Sequence, residues 1–298
     1  MTLPRPSSRP PTKRVRQEAS HASALRSREA ASTSLAVARA TLVHADWLAA
    51  ASSLAPHSID LLYADPPFNT GSTQRTPRNA HKLARAQERT ADAAYADRWP
   101  TMEAYVAWLR ERLVATLPAL KPSASVLIHC DWRACHHIRL LLDELLGADR
   151  FVNHLIWSYG LGGSSPRMFA RKHDDILFYC VDPKRYHFSP PRVAATSNRL
   201  RGQTKKATDI LTIPALNNMA KERTGYPTQK PLALLDLLVR ACCPEGGTVL
   251  DPCCGSGTTM IAALMAGRRA VGFDASAAAI ATARKRLEQL QTTNDPST

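Results

Sequence analysis

A mainly parallel α/β sheet, covered by helices on both faces, is the fold class this sequence predicts. Three observations carry the expectation. Short apolar runs of strand length alternate with helically spaced segments along most of the chain, as crossover-connected parallel strands require. Two of those runs end in loops rich in Gly or Pro, the place where open α/β sheets bind ligands. The 298 residues are 44% hydrophobic and 21% charged, an ordinary globular balance at a length that suits one large domain.

The elements follow in order. Residues 1 to about 35 read as a disordered basic arm. Arg5, Arg9, Lys13, Arg14, Arg16, Arg26 and Arg28 face only Glu18 and Glu29, and Pro4, Pro6, Pro10 and Pro11 break any early helix. A solvating tail and a phosphate-binding arm both fit that composition. One domain then spans 36–292, and 293–298 form a second disordered tail. Its first strand is Thr41 to Ala45 and its next is Ile59 to Ala64. Residues 101–118 carry helical spacing through Tyr105, Trp108, Leu109, Leu113 and Leu117. Ala124 to His129 reads as a strand, Ala134 to Leu146 as a helix, and Asn153 to Tyr159 and Asp175 to Val181 as two more strands. Residues 182–225 show no period. Leu232 to Cys242 is a helix, Thr248 to Leu250 a strand, the stretch after Gly257 a helix, Ala270 to Phe273 a strand, and Ser276 to Leu290 the last helix.

Composition narrows the function. Lys plus Arg exceed Asp plus Glu by 39 to 25, a net charge of +14, which favours a polyanionic partner. No apolar run approaches the roughly 18 residues of a membrane helix, and the N-terminus has no apolar signal-peptide core, so we expect a cytoplasmic protein with no membrane partner. The seven cysteines include two adjacent pairs, Cys242-Cys243 and Cys253-Cys254, which are poor disulfide partners and point to free thiols. His129, Cys130, Asp131, Cys135, His136 and His137 lack zinc-finger spacing and run from a strand end into an apolar-periodic helix. We assign them to structure and expect no metal.

Two motifs sit at strand ends. Asp251-Pro252-Cys253-Cys254-Gly255-Ser256-Gly257-Thr258-Thr259 joins a strand to a helix, and its glycines admit a ligand close to the backbone. The strand Ala270 to Phe273 then ends at Asp274, placed to accept bonds from ribose hydroxyls. The loop has neither the Gly-Lys-Ser/Thr of a P-loop nor full dinucleotide spacing, so an adenosine-containing ligand without a pyrophosphate fits it better. The second motif is Asp65-Pro66-Pro67-Phe68. Its prolines stiffen the turn and fix two acceptors, the Asp65 carboxylate and the Pro66 carbonyl, beside an aromatic ring that can stack on a base.

With both motifs the chain resembles the β-class S-adenosylmethionine-dependent DNA amino-methyltransferases of bacterial restriction-modification systems. Ser58 to Asn69 resembles the family's catalytic strand and loop, Thr228-Gln229-Lys230-Pro231 the segment at the cofactor's methionine end, and Asp251 to Thr259 its cofactor loop. Asp274 resembles its ribose-binding acid and His44-Ala45-Asp46 its element near adenine. The resemblance runs from about Thr41 to Leu290. It implies a Rossmann-like, seven-stranded sheet in circularly permuted motif order, with S-adenosyl-L-methionine as cofactor and a flipped base in double-stranded DNA as substrate. It implies catalysis by Asp65, Pro66, Pro67 and Phe68. Cofactor binding would fall to Asp46, Asp65, Thr228, Gln229, Lys230, Pro231, Asp251, Cys253, Gly255, Ser256, Gly257, Thr258, Thr259 and Asp274. Adenine N6 is the favoured target and cytosine N4 the alternative. A homodimer, a cognate restriction endonuclease and association with the nucleoid are further expectations. Cys253 stands where the family usually has an aromatic residue, which predicts weaker cofactor binding.

DNA contact is expected from two basic stretches. Lys184, Arg185, Arg199, Arg201, Lys205 and Lys206 lie in the stretch, about 182–225, that the resemblance implies is a target-recognition insertion, and Arg75, Arg78 and Lys82 follow the catalytic loop. Two competing readings are weaker. RNA and protein methyltransferases with a similar loop usually carry Asn at its first position and place the cofactor loop before it. A silent DNA-binding module would not need an intact Asp65 to Phe68 and cofactor loop.

Overall fold

The computed structural model describes residues 34–37, 39–73, 96–160, 164–195, 199, 201–217, 220 and 222–293. Most of the basic arm, and Arg75, Arg78 and Lys82, lie outside the described residues. The strands are β1 Ser34–Val37, β2 Ala40–His44, β3 Ile59–Ala64, β4 Ser72–Thr73, β5 Ala96–Asp97, β6 Leu120–Cys130, β7 Phe151–Ser158, β8 His173–Cys180, β9 Arg192–Ala194, β10 Thr204–Lys206, β11 Ile210–Thr212, β12 Thr248–Asp251 and β13 Arg269–Asp274. The α-helices are α1 Trp47–Ala51, α2 Met102–Thr116, α3 Cys135–Leu145, α4 Leu232–Cys242, α5 Thr258–Met265 and α6 Ala277–Thr293. None is long and apolar enough to cross a membrane.

The main sheet runs β1-β2-β13-β12-β3-β6-β8-β7-β11. β2, β13, β12, β3 and β6 are parallel neighbours, and β11 is parallel to β7; β1, and β8 against both its neighbours, are antiparallel. Among the described residues this sheet has nine strands, not the expected seven. The additional two are short edge strands, β1 hairpinned onto β2 and β11 laid beside β7. Runs of four and three residues are too short to show a period. β1 also takes up Ser34 and Leu35, so regular structure begins inside the segment read as the arm.

Both faces are covered. Helices α4, α5 and α6 pack on one through Leu234, Leu238, Met260, Ile280 and Leu287. Helices α1, α2 and α3 pack on the other through Trp47, Tyr105, Leu109, Ile138 and Leu142. β3 feeds both cores, Leu61 and Tyr63 facing one and Leu62 and Ala64 the other, which is why its sequence from Leu61 on does not alternate apolar with polar; Asp60, buried near its start, is paired with Lys121.

β12 lies directly beside β3, Leu250 opposite Leu62, so the two motif loops leave neighbouring carboxyl ends. The direction of β8 corrects one expectation. Cys180 pairs with Ser125, which is level with Leu61, and Val181 N–H donates to the Ala124 carbonyl at 2.9 Å. The chain therefore leaves β8 at the amino end of β3. Lys184 and Arg185 sit there, across the sheet from the catalytic loop, and not beside it. Arg201, Lys205 and Lys206, with Arg199, are exposed on the β9–β10 hairpin and its loop. Arg192 Nε pins that hairpin by donating to Thr204 Oγ1 at 2.8 Å.

Candidate active site and cofactor cavity

A cavity of about 930 Å³ opens at the carboxyl ends of β3, β12 and β13. It brings together Asp65, Pro66, Pro67 and Phe68 from the first motif with Asp251, Cys253, Gly255, Ser256, Thr258 and Thr259 from the second. Asp46, Thr228, Gln229, Lys230 and Asp274 line it too. Pro231 and Gly257 do not. Gly257 has φ +77°, and a Cβ there would lie 2.9 Å from Ala283 Cβ, so it serves the close packing of α5 on α6. Pro231 precedes α4 as its cap. None of the described basic residues expected to bind DNA lines the cavity.

The cavity's charge opposes that of the chain. Its lining carries five carboxylates, Asp46, Asp65, Asp97, Asp251 and Asp274, and one ammonium, Lys230. Lys230 Nζ donates to Asp65 Oδ2 at 2.6 Å and lies 5.2 Å from the Phe68 ring centroid. Asp65 Oδ1 is buried without a hydrogen-bond partner. A buried carboxylate oxygen in that state calls for a donor from a ligand. Asp251 is buried, and burial first, then the charges of Asp65 and Asp274, raise its carboxyl to about 7 against bonds from Thr259 and the Cys253 N–H. Burial likewise raises Asp274, although Ser276 N–H and Gly255 N–H both donate to it at 2.8 Å.

Both loops are held from outside. Asp97 accepts from Asn69 N–H at 2.6 Å and Thr70 Oγ1 at 2.5 Å, and Asn69 Oδ1 accepts from Trp99 N–H at 2.9 Å. Gly255 turns the second loop at φ +50° with Tyr226 against it. Arg286 Nη1 donates to the Ser256 carbonyl at 2.7 Å and to Thr258 Oγ1 at 2.9 Å. Thr228, a β-branched residue, sits at φ +60°, a strained backbone at the cavity wall. The Gln229 amide braces the same segment, accepting from Thr224 N–H at 2.9 Å and donating to the Glu222 carbonyl at 2.8 Å.

Behind Phe68 lies a polar chain that the sequence leaves open. Phe68 stacks on His129 with ring centroids 5.8 Å apart and an interplanar angle of 28°. Burial, with Asp65, Asp251 and Asp174 adding, holds the Tyr63 hydroxyl well above its usual pKa. Tyr63 keeps its proton and donates to His129 Nδ1 at 2.8 Å, so Nε2–H donates to Asp174 Oδ2 at 3.2 Å. Tyr159 Oη donates to the other oxygen of Asp174 at 3.3 Å. Burial pushes Asp174 up, but the bond from His129, the charge of Lys230 and the bond from Tyr159 outweigh it and leave the carboxyl below its usual pKa.

Sequence reasoning also missed an aromatic wall. Trp47, Trp99 and Trp108 line the cavity, Trp99 and Trp108 with centroids 4.9 Å apart. Arg112 lies 4.2 Å over Trp108 and pairs with Asp46 at 2.9 Å.

This geometry agrees with what the chain is similar to. The DNA methylase family profile for N6 and N4 methyltransferases matches residues 59–285. The chain belongs to that DNA methylase family. Over 253 residues it is 27% identical to the type II methyltransferase M.HpaI of Haemophilus parainfluenzae, covering 83% of this chain and 74% of that one. Over 264 residues it is 26% identical to the DNA adenine methyltransferase YhdJ of Escherichia coli K12, covering 83% and 82%. Among solved structures, the M1.HpyAVI–SAM complex shares the fold at a TM-score of 0.55 and 21% identity, over 83% of this chain and 98% of that one. The cytosine-N4-specific PvuII DNA methyltransferase shares it at 0.61 and 15%, over 83% and 86%. This DNA methylase is thus an S-adenosylmethionine-dependent amino-methyltransferase of the restriction-modification type. The acidic cavity, the unpartnered Asp65 Oδ1 and the aromatic wall all fit a cationic, adenosine-bearing cofactor.

Proposed function

We propose that this DNA methylase modifies adenine N6 in double-stranded DNA, and that Asp65 binds the amine. The observation that carries the reading is the state of Asp65, with Oδ2 held by Lys230 and Oδ1 buried and unpartnered on the cavity wall. An ionised carboxylate is a stronger acceptor for an amine N–H than a neutral hydroxyl. The similarity to YhdJ, a DNA adenine methyltransferase, points the same way.

When bound, S-adenosylmethionine supplies an electrophilic methyl on a sulfonium. Asp46, Asp65, Thr228, Gln229, Lys230, Asp251, Cys253, Gly255, Ser256, Thr258, Thr259 and Asp274 are the residues we assign to holding it. The remaining work falls to the chain itself. Asp65 Oδ1 and the Pro66 carbonyl accept the two amine hydrogens, which draws the nitrogen lone pair out of conjugation and aims it. Pro67 stiffens the turn, and Phe68, backed by His129, stacks on the base ring. Orientation of this kind supplies up to roughly 7–11 kcal/mol of the barrier. Extruding the base costs roughly a few kcal/mol. The exposed hairpin bearing Arg199, Arg201, Lys205 and Lys206 is our candidate for phosphate and groove contacts, with Arg75, Arg78 and Lys82. Digesting methylated DNA to nucleosides decides the base. N6-methyladenine is expected; N4-methylcytosine alone overturns the base assignment and leaves the family standing.

A further inference from the structure

Three side chains from three elements converge on the sheet face opposite His129. Cys135 opens α3, His154 lies on β7 and Asp175 on β8. His154 Nε2 lies 3.6 Å from Cys135 Sγ and 2.7 Å from Asp175 Oδ1, and the three donor atoms all fall within 4.8 Å of one another. Strand register explains the meeting. Cys130 pairs with Asp175, and His154 with Leu177, which puts all four on the face beneath α3. Cys135 and Asp175 are buried, while the His154 side chain is 40% exposed and closes the cluster on its solvent side. The contiguous stretch His129 to His137 does not form this set. His129 joins Tyr63 and Asp174, Asp131 pairs with Arg133, and His136 and His137 are exposed.

We propose that Cys135, His154 and Asp175 bind a divalent cation of zinc type, with the fourth position open to solvent. One thiolate, one imidazole and one carboxylate suit Zn²⁺ or Co²⁺ and not the all-oxygen preference of Mg²⁺ or Ca²⁺. Bond lengths of about 2.3 Å to sulfur and about 2.05 Å to nitrogen at a tetrahedral angle set an S···N edge of about 3.6 Å, the spacing seen here. The N···O edge of the same tetrahedron is about 3.3 Å, so the His154–Asp175 contact must open by about 0.6 Å. The exposed imidazole can make that shift. The ion displaces the Cys135 thiol proton to solvent, and the His154 Nε2 proton that bonds Asp175 gives way to the metal, leaving the neutral ring protonated at Nδ1. Cys130 stays outside the set of donor atoms that lie within 4.8 Å of one another. The bound ion ties α3 to β7 and β8 within one residue of His129.

The test uses the full-length, reduced, metal-stripped protein. Equimolar Co²⁺ is expected to give sulfur-to-metal charge-transfer bands and visible bands of tetrahedral intensity, saturating at one equivalent and displaced by Zn²⁺. Zn²⁺ is expected to raise the melting temperature by several degrees. His154→Ala, at an exposed position, and Cys135→Ser should each abolish both effects, whereas the His136→Ala, His137→Ala pair should keep them. Absence of the charge-transfer bands in the unaltered protein overturns the proposal. So does stabilisation by Zn²⁺ that survives His154→Ala with its circular dichroism intact.

Discussion

Asp251 makes cofactor binding a proton-coupled event. Its carboxyl ends β12, is 3% exposed and is raised by burial from 3.8 to about 7. A shift of that size corresponds to roughly 4 kcal/mol of disfavour for the charged form. Because the folded state binds this proton more tightly than the unfolded one, stability from this group is full below pH 4 and is lost as pH rises through about 7. A sulfonium and an ammonium arriving in the cavity reverse the preference and favour the carboxylate. Binding at pH 6 should then expel close to one proton, and at pH 7 about half of one. Affinity should climb with pH from 5 towards 7, by up to about tenfold per pH unit. The cofactor's own α-amino and α-carboxyl groups titrate outside that window. Calorimetric titrations in two buffers of unlike ionisation heat read the proton directly. Equal apparent heats in both buffers, with affinity flat from pH 5.5 to 7, would refute the reasoning.

Four further outcomes are expected. Asp65→Ala removes the amine acceptor, so methyl transfer at saturating cofactor should fall by far more than tenfold, a larger loss than the one in cofactor affinity, which equilibrium binding measures and which the other lining residues sustain. Asp174→Asn weakens the charge-assisted hold on His129 behind Phe68; we expect a loss of about 1–3 kcal/mol in urea unfolding and a single-turnover rate at least tenfold lower at unchanged cofactor affinity. Cys253→Phe restores an aromatic side chain on the cavity wall and should tighten cofactor binding several-fold by titration. Removing residues 1–33, with their net charge of +5, should flatten the salt dependence of DNA affinity and leave the melting temperature in place.

The two motif loops were legible because each follows a buried strand and carries Gly or Pro where the backbone must turn. Asp65 and Asp251 could be placed side by side from that pattern alone. Trp99 and Trp108 were not, since aromatics at helical spacing look the same whether they fill a core or face a ligand. Asp97 and Thr70 sit in a stretch with no period, and their part in holding the loop depends on a pairing of β4 with β5 only two residues long. Lys184 and Arg185 went astray for a different reason. A buried strand reads alike in either direction, so sequence could not say that β8 carries the chain away from the cavity. The His129–Asp174 bond and the meeting of Cys135, His154 and Asp175 join residues of different strands and a helix, beyond the reach of spacing arguments.

The strand order has a cost during synthesis. β2 and β3 are made early, yet they never touch, because β12 and β13, made only once the chain passes residue 248, slide between them. At ordinary ribosomal rates the gap stays open for roughly 10–40 s while the intervening chain is made. Throughout that interval β3, whose six residues are all buried in the finished sheet, presents a bare edge. Such an edge invites pairing with other nascent chains. Rapid overproduction should therefore yield aggregates that slower translation or a holding chaperone prevents, and no fragment ending before residue 274 should retain the cofactor.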